Sequence, residues 1–263
     1  MGRDVAGAAP DVGDDAARLD QLGERRKQRA IEGFVVKFVR ELLLVLLGDR
    51  VVGGTSRVGH GGHPTLGPMP RRPSRTVPTV ILHGWQGNEP EHWQTWLAGQ
   101  LAEAGREVRY PELPAADEPE LTAWLAALKS TQNGLLDDTF DVVCHSLGVL
   151  LWLHHVHAGG GPRPARVALV APPSPHTEVV ELAPFLPVPL EVDLMRHAAD
   201  GTVLVCSDND PYCPEGAALA YGRPLKMPTT VIPGSGHINV TAGFGRWPAM
   251  LDWCGRDNLA FIA

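Results

Sequence analysis

Asp141-Val142-Val143-Cys144-His145-Ser146-Leu147-Gly148 is the stretch on which the rest of the chain depends. An apolar run meets a serine, a glycine follows two residues later, and apolar residues then recur at helical spacing at Leu147, Leu150, Leu151 and Trp152. Strand, serine, then helix is the pattern of a nucleophile elbow, the tight turn that lifts a reactive hydroxyl off the end of a strand. The turn needs small residues two positions either side of the serine so that strand and helix can approach. Gly148 supplies one, and Cys144 stands at the other, where glycine is usual. Taken alone, the pattern also fits an ordinary strand-to-helix turn with an unreactive serine. The neighbouring segments decide between the two.

Upstream, Val77 to Leu82 is a short β-rich run that ends in His83-Gly84-Trp85-Gln86-Gly87. Glycine lets the backbone turn sharply there, and the next N–H can point at a substrate oxygen. Trp85 and Leu147 are therefore the expected backbone donors of an oxyanion hole. Glu91 to Ala104 has helical spacing, with Trp93, Trp96, Leu97 and Leu101 on one face; Glu107 to Tyr110 reads as a strand and Glu118 to Leu128 as a second amphipathic helix. The helix after the elbow runs to about His157 and stops at Gly159-Gly160-Gly161-Pro162. His154, His155 and His157 crowd that helix, but their spacing is not that of a zinc site, and an ordinary helix face is the expectation.

Arg166 to Ala171 and Thr202 to Cys206 read as further buried strands. Between them, residues 172–200 are proline-rich and irregular. Phe185 at their centre is a candidate for the apolar wall of a substrate pocket, and His83 and Tyr212 are the other pocket candidates. The second strand leads into Ser207-Asp208-Asn209-Asp210-Pro211, where Asp210 is the preferred acid because a proline-restrained turn follows it. Asp208 is the alternative. A helix over Glu215 to Tyr221, a strand over Thr229 to Ile232, the loop Gly234-Ser235-Gly236-His237-Ile238-Asn239 and a last helix from Trp247 to Cys254 complete the chain. Short apolar strands alternating with helices predict an α/β fold, a mostly parallel sheet with helices on both faces and a minimal cap. Ser146, Asp210 and His237 occur in the chain order serine, acid, histidine, each just after a predicted strand. That order is the one used by α/β-hydrolases.

At this point the residues resemble a known family. His83-Gly84-Trp85-Gln86-Gly87, Glu91-His92-Trp93-Gln94, His145-Ser146-Leu147-Gly148, Ser207 to Cys213 and Gly236-His237-Ile238-Asn239 with Trp247-Pro248 are similar to the small serine hydrolases of the retinoblastoma-binding-protein-9/YdeN type. The resemblance covers about residues 77–255. It implies a compact α/β-hydrolase without a large lid, with Ser146 as nucleophile, Asp210 as orienting acid and His237 as base. It also implies acyl transfer from a small ester, thioester or amide to water, with no cofactor. A binding protein on the same scaffold, or an acyltransferase or peptidase, are the competing readings. A small or medium apolar acyl group is the expected substrate.

Composition sets outer limits. Hydrophobic residues at 44% and charged residues at 20% are ordinary for a globular chain, and a net charge of −7 argues against a nucleic-acid partner. Cys144, Cys206, Cys213 and Cys254 form no metal-ligand spacing, and buried free thiols in a reducing cytoplasm are the expectation. Residues 1–76 read as an extension to a hydrolase domain at 77–263. The first 23 residues are expected to be disordered, and 53–78 to be a linker. Phe34 to Leu47 is apolar but broken by Lys37, Arg40 and Glu41, too short and charged to span a membrane. Packing on the domain or no stable structure is expected there; a helix on a membrane surface or a partner is the alternative. Met69 opens a stretch holding every motif above, so residues 1–68 are expected to be dispensable or the product of a misplaced start.

Overall fold

The structure, a computed structural model, describes residues 77–256 and 261. The expectations for residues 1–76 lie outside the described residues. Six strands form one parallel sheet: β1 (Thr79–Leu82), β2 (Val108–Arg109), β3 (Asp141–His145), β4 (Arg166–Val170), β5 (Gly201–Ser207) and β6 (Thr229–Ile232), in the order β2-β1-β3-β4-β5-β6. The helices are α1 (Trp93–Glu103), α2 (Leu121–Thr131), α3 (Leu147–His157), α4 (Val192–His197) and α5 (Pro248–Gly255).

The inner strands β1, β3, β4 and β5 are near-continuous apolar runs because both faces of the sheet are covered there, while the edge strands β2 and β6 are only partly buried. Side chains alternate between faces along a strand. Val80, Leu82, Val142, Cys144, Val167, Leu169, Leu204 and Cys206 pack in one core with Trp124 and Leu128 of α2 and the apolar face of α3. Ile81, Val143, Ala168, Val170, Val203 and Val205 pack in the other with Trp93, Leu97 and Leu101 of α1 and Met250, Leu251 and Trp253 of α5. All four cysteines are free and buried, and burial pushes the Cys206 thiol up to about 11.

The sheet grows outward from β1, to β2 on one side and β3 on the other. The connections after β1 and β3 therefore leave in opposite directions, and a crevice opens at their carboxyl ends. Register places Leu82 opposite Cys144, so the residues that follow each strand meet at that crevice.

One expectation is corrected. The helix foreseen at Glu215 to Tyr221 is only a wide turn at Ala218–Gly222. Gly216, at φ +82°, holds a left-handed conformation that no helix can run through. Segment 172–200 carries a short 3-10 turn at Val180–Phe185 and the six-residue α4, a small cover in keeping with the minimal cap expected. No helix among the described residues is long and apolar enough to cross a membrane.

Candidate active site

Ser146 sits between β3 and α3 with φ 54° and ψ −124°, a conformation that a residue with a Cβ rarely adopts. Its N–H donates to the Val170 carbonyl at 2.9 Å, which ties the elbow to β4. The close approach falls on two glycines. A Cβ on Gly148 would lie 2.6 Å from the His83 carbonyl oxygen, and one on Gly84 would lie 2.8 Å from the Ser146 Cβ. Cys144 is accommodated within the core, so the elbow forms without glycine at that position.

The three residues expected to work together are brought together. His237 Nδ1–H donates to the Asp210 carboxylate, 2.8 Å from Oδ2 and 3.0 Å from Oδ1. Its Nε2 is left to accept from the Ser146 hydroxyl at 2.9 Å. Asp210 and His237 are 4% and 8% exposed, so little water competes for these bonds. Asp210 Oδ1 also accepts the Tyr212 N–H at 2.9 Å, which fixes the carboxylate's orientation.

Asp208 has a different place. Its Oδ1 accepts the Gly234 N–H, the Ser207 hydroxyl accepts the Ser235 N–H, and Asn209 Oδ1 accepts the Gly236 N–H. Three consecutive side chains thus clasp the three amides that lead to His237. On its other side, Ile238 holds φ 49°, unusual for a β-branched residue. The Trp93 indole donates to its carbonyl at 2.8 Å, and Ile238 is fully buried. His145 Nε2–H donates to the His237 carbonyl at 3.0 Å. The imidazole is therefore aimed by a loop held at every step.

In the sequence His92 and Gln94 stand out only through the resemblance, and Trp93 also by its helical face; the structure gives each a task. His92 caps α1 through Nδ1, Trp93 holds Ile238, and Gln94 donates to the Leu82 carbonyl at 2.9 Å. Asn88 Nδ2–H donates to Gln94 Oε1, which ties in the loop after β1. A signal was present: Gln94, Leu97 and Leu101 share the i, i+3, i+7 face, which makes Gln94 a buried amide in need of partners.

A cavity of about 210 Å³ opens over Ser146 and His237. Trp85 and Tyr212 line it, and the Tyr212 ring lies 4.4 Å from that of His237. Leu147, as the first residue of α3, has an N–H with no intrahelical acceptor. The loop carrying Trp85 is anchored by its indole N–H to the Asp117 carbonyl and by the Gln86 N–H to the Ala116 carbonyl.

His83 and Phe185 are not brought to the cavity. His83 is buried with both nitrogens engaged, Nδ1–H on the Gly84 carbonyl and Nε2 accepting the Leu113 N–H. Phe185 is fully buried against Trp124, 5.3 Å between ring centres. The apolar wall comes from Val179 and Leu182 instead. Polar residues dominate the remainder of the wall, with Gln86, Asn88, Glu89, Asn239 and Thr241. The helix histidines are engaged singly: His154 Nε2–H with the Phe185 carbonyl, His155 Nε2 with the Gly161 N–H, and His157 with Glu191.

Comparison with known proteins speaks to the family and the fold. A sequence model of the family described as serine hydrolase matches residues 79–255. The YdeN protein of Bacillus subtilis (strain 168) is 32% identical over 84 residues, 31% of this chain and 44% of that protein, so the matched stretch spans less than half of that curated relative. The crystal structure of the ydeN gene product of B. subtilis superposes with a TM-score of 0.60 at 20% identity, covering 67% of this chain and 96% of that one. A YdeN-like protein of Pectobacterium atrosepticum superposes with a TM-score of 0.54 at 22% identity, covering 68% and 89%. At these identities the superpositions speak for the fold.

Proposed function

As the chain belongs to the serine hydrolase family, we propose that it cleaves a small carboxylic ester or thioester through an acyl-enzyme on Ser146. The observation that carries this reading is the unbroken line of contacts from Asp210 through His237 to Ser146. His237 Nε2 takes the hydroxyl proton as Oγ attacks the carbonyl carbon, and the C–O bond to the enzyme forms. Asp210 holds the ring with its hydrogen on Nδ1 and stabilises the imidazolium. The tetrahedral oxyanion is received by the N–H groups of Trp85 and Leu147, each worth about 3–4 kcal/mol if it behaves as such donors do elsewhere. His237 then returns the proton to the leaving oxygen or sulfur. Water, activated by the same imidazole, releases the acid and restores Ser146.

None of these steps calls on a metal or an organic cofactor. The cavity of about 210 Å³ supports a small acyl group as the substrate. Its polar wall moves the expectation away from the purely apolar acyl chain drawn from composition. A fluorophosphonate probe tests the reading, since it bonds only to an activated serine. The adduct is expected on the peptide that carries Ser146. No adduct on folded protein, or an adduct elsewhere, overturns the assignment.

A further inference from the structure

Charge is unevenly divided between the two edges of the sheet. The connections that leave its carboxyl edge run over residues 83–92, 110–120, 171–191, 208–217 and 233–247. The first, third and last of these supply most of the wall of the cavity over Ser146. The second is tied to the first where the Asp117 and Ala116 carbonyls accept from Trp85 and Gln86. Arg246 is the only lysine or arginine in all five, and its guanidinium lies over Trp96 of α1, 6.0 Å from the ring centre. Carboxylates, by contrast, recur. Glu89 is part of the cavity wall, exposed, and without an ion pair among the described residues. Glu178 and Glu181 immediately precede the wall residues Val179 and Leu182, and Asp117 and Glu118 are exposed just after Ala116.

The histidines of the wall do not offset this charge. Burial lowers the pKa of His92 to about 4 and that of His145 well below its ordinary value, so both are uncharged near neutrality. The imidazolium that His237 becomes during reaction is matched by its own partner, Asp210. The negative field at the mouth is left for the substrate, and a cleft edged by one sign of charge concentrates ligands of the other. The acyl group fills the small cavity, so the leaving group departs through the mouth, past these carboxylates. Trp85 and Tyr212 in the same wall are the aromatic neighbours that an organic cation favours. We propose that the site takes esters and thioesters whose leaving group is a cationic alcohol or thiol, with its alkylammonium end beside Glu89. This rests on the Ser146 chemistry proposed above.

The test compares propionylthiocholine with its uncharged isostere S-(3,3-dimethylbutyl) thiopropionate, in which a quaternary carbon replaces the nitrogen. Their kcat/KM ratio is divided by the ratio of their alkaline hydrolysis rates at the same ionic strength, which removes intrinsic reactivity. Wild-type protein is expected to favour the cation about tenfold at ~0.01 M salt, the low end of what a charged cleft supplies. The preference should shrink to less than about threefold at ~0.5 M, where screening shortens the reach of the carboxylates. Glu89→Gln is expected to lower the low-salt ratio about threefold, and Glu89→Asp, which keeps the charge, to retain most of it. A corrected wild-type ratio near one, a ratio that does not fall with salt, or a ratio unchanged in Glu89→Gln overturns the proposal. Should either variant fail to fold, the salt dependence of the wild type alone decides. Fluorophosphonate labelling of the wild type separates the two failures. A labelled Ser146 with no preference for the cation, or with turnover of neither thioester, defeats only this inference; an unlabelled one defeats the hydrolase reading itself.

Discussion

At the amino ends of β1, β3 and β4 the chain buries two guanidinium groups around one carboxylate. Arg166 Nη2 lies 2.7 Å and Arg106 Nη2 3.5 Å from Asp141 Oδ2, with all three side chains almost fully out of solvent. Arg106 also donates to the Thr79 hydroxyl and the Cys254 carbonyl, and Arg166 to the carbonyls of Trp253 and Arg256. The two arginines meet the carboxyl end of α5, where the helix dipole favours positive charge. At the opposite edge of the sheet, Ser146 after β3 and Ile238 in the loop after β6 hold unfavourable backbone angles. One end of the sheet pairs its buried charges and fastens the last helix; the other holds backbone strain around Ser146 and His237. Damage to the first should cost stability, and damage to the second should cost chemistry.

The largest effect expected is on the chemical side. Asp210→Asn keeps the shape of the acid but favours the wrong tautomer of His237, and kcat should fall about 10⁴-fold. Asp208→Asn still accepts from Gly234 and should lose less than about tenfold. Steady-state rates of the two variants measure the difference, and equal losses would erase the distinction between orienting acid and loop clasp. Next in size is the opposite end. Asp141→Ala leaves two buried guanidinium groups without their carboxylate and should cost about 3–5 kcal/mol in denaturant unfolding. The fraction that remains folded should keep its kcat, and a matching fall in kcat would break the separation.

A smaller effect follows from histidines buried in the neutral form. Burial lowers the pKa of His155 to about 4, with similar lowering at His92. The unfolded chain takes up these protons near pH 6.5, before the folded one does. Stability is therefore fully present above about pH 6.5 and is lost as pH falls toward 4, at about 1.4 kcal/mol per pH unit for each extra proton bound on unfolding. His155 lies away from the cavity, so His155→Gln should flatten this acid limb, read from thermal midpoints across that range. An unchanged slope would show that His155 does not contribute.

Much of this was legible in the sequence. The elbow strand and the helix that follows it, and the strand at Thr229–Ile232, have the bounds their apolar patterns indicate. Ser146, Asp210 and His237 follow strand ends, and a parallel sheet gathers its strand ends on one edge. The cavity was less legible. Phe185 lies in a segment without periodicity, so nothing in the sequence tells which way its ring turns. His83 follows a strand as a catalytic group would, but its partner Leu113 lies 30 residues away. The Arg106, Asp141 and Arg166 cluster was missed because single charges at strand starts resemble solvent-facing residues. Only the register that sets Asp141 beside Arg166 makes them neighbours.

The most direct measurement takes Ser146→Ala and records both ester turnover and the thermal midpoint on one preparation. The account predicts turnover at the uncatalysed background and a midpoint within a few degrees of wild type, since the substitution leaves the core and the buried arginine cluster untouched. Ester hydrolysis that persists in the folded variant would contradict it.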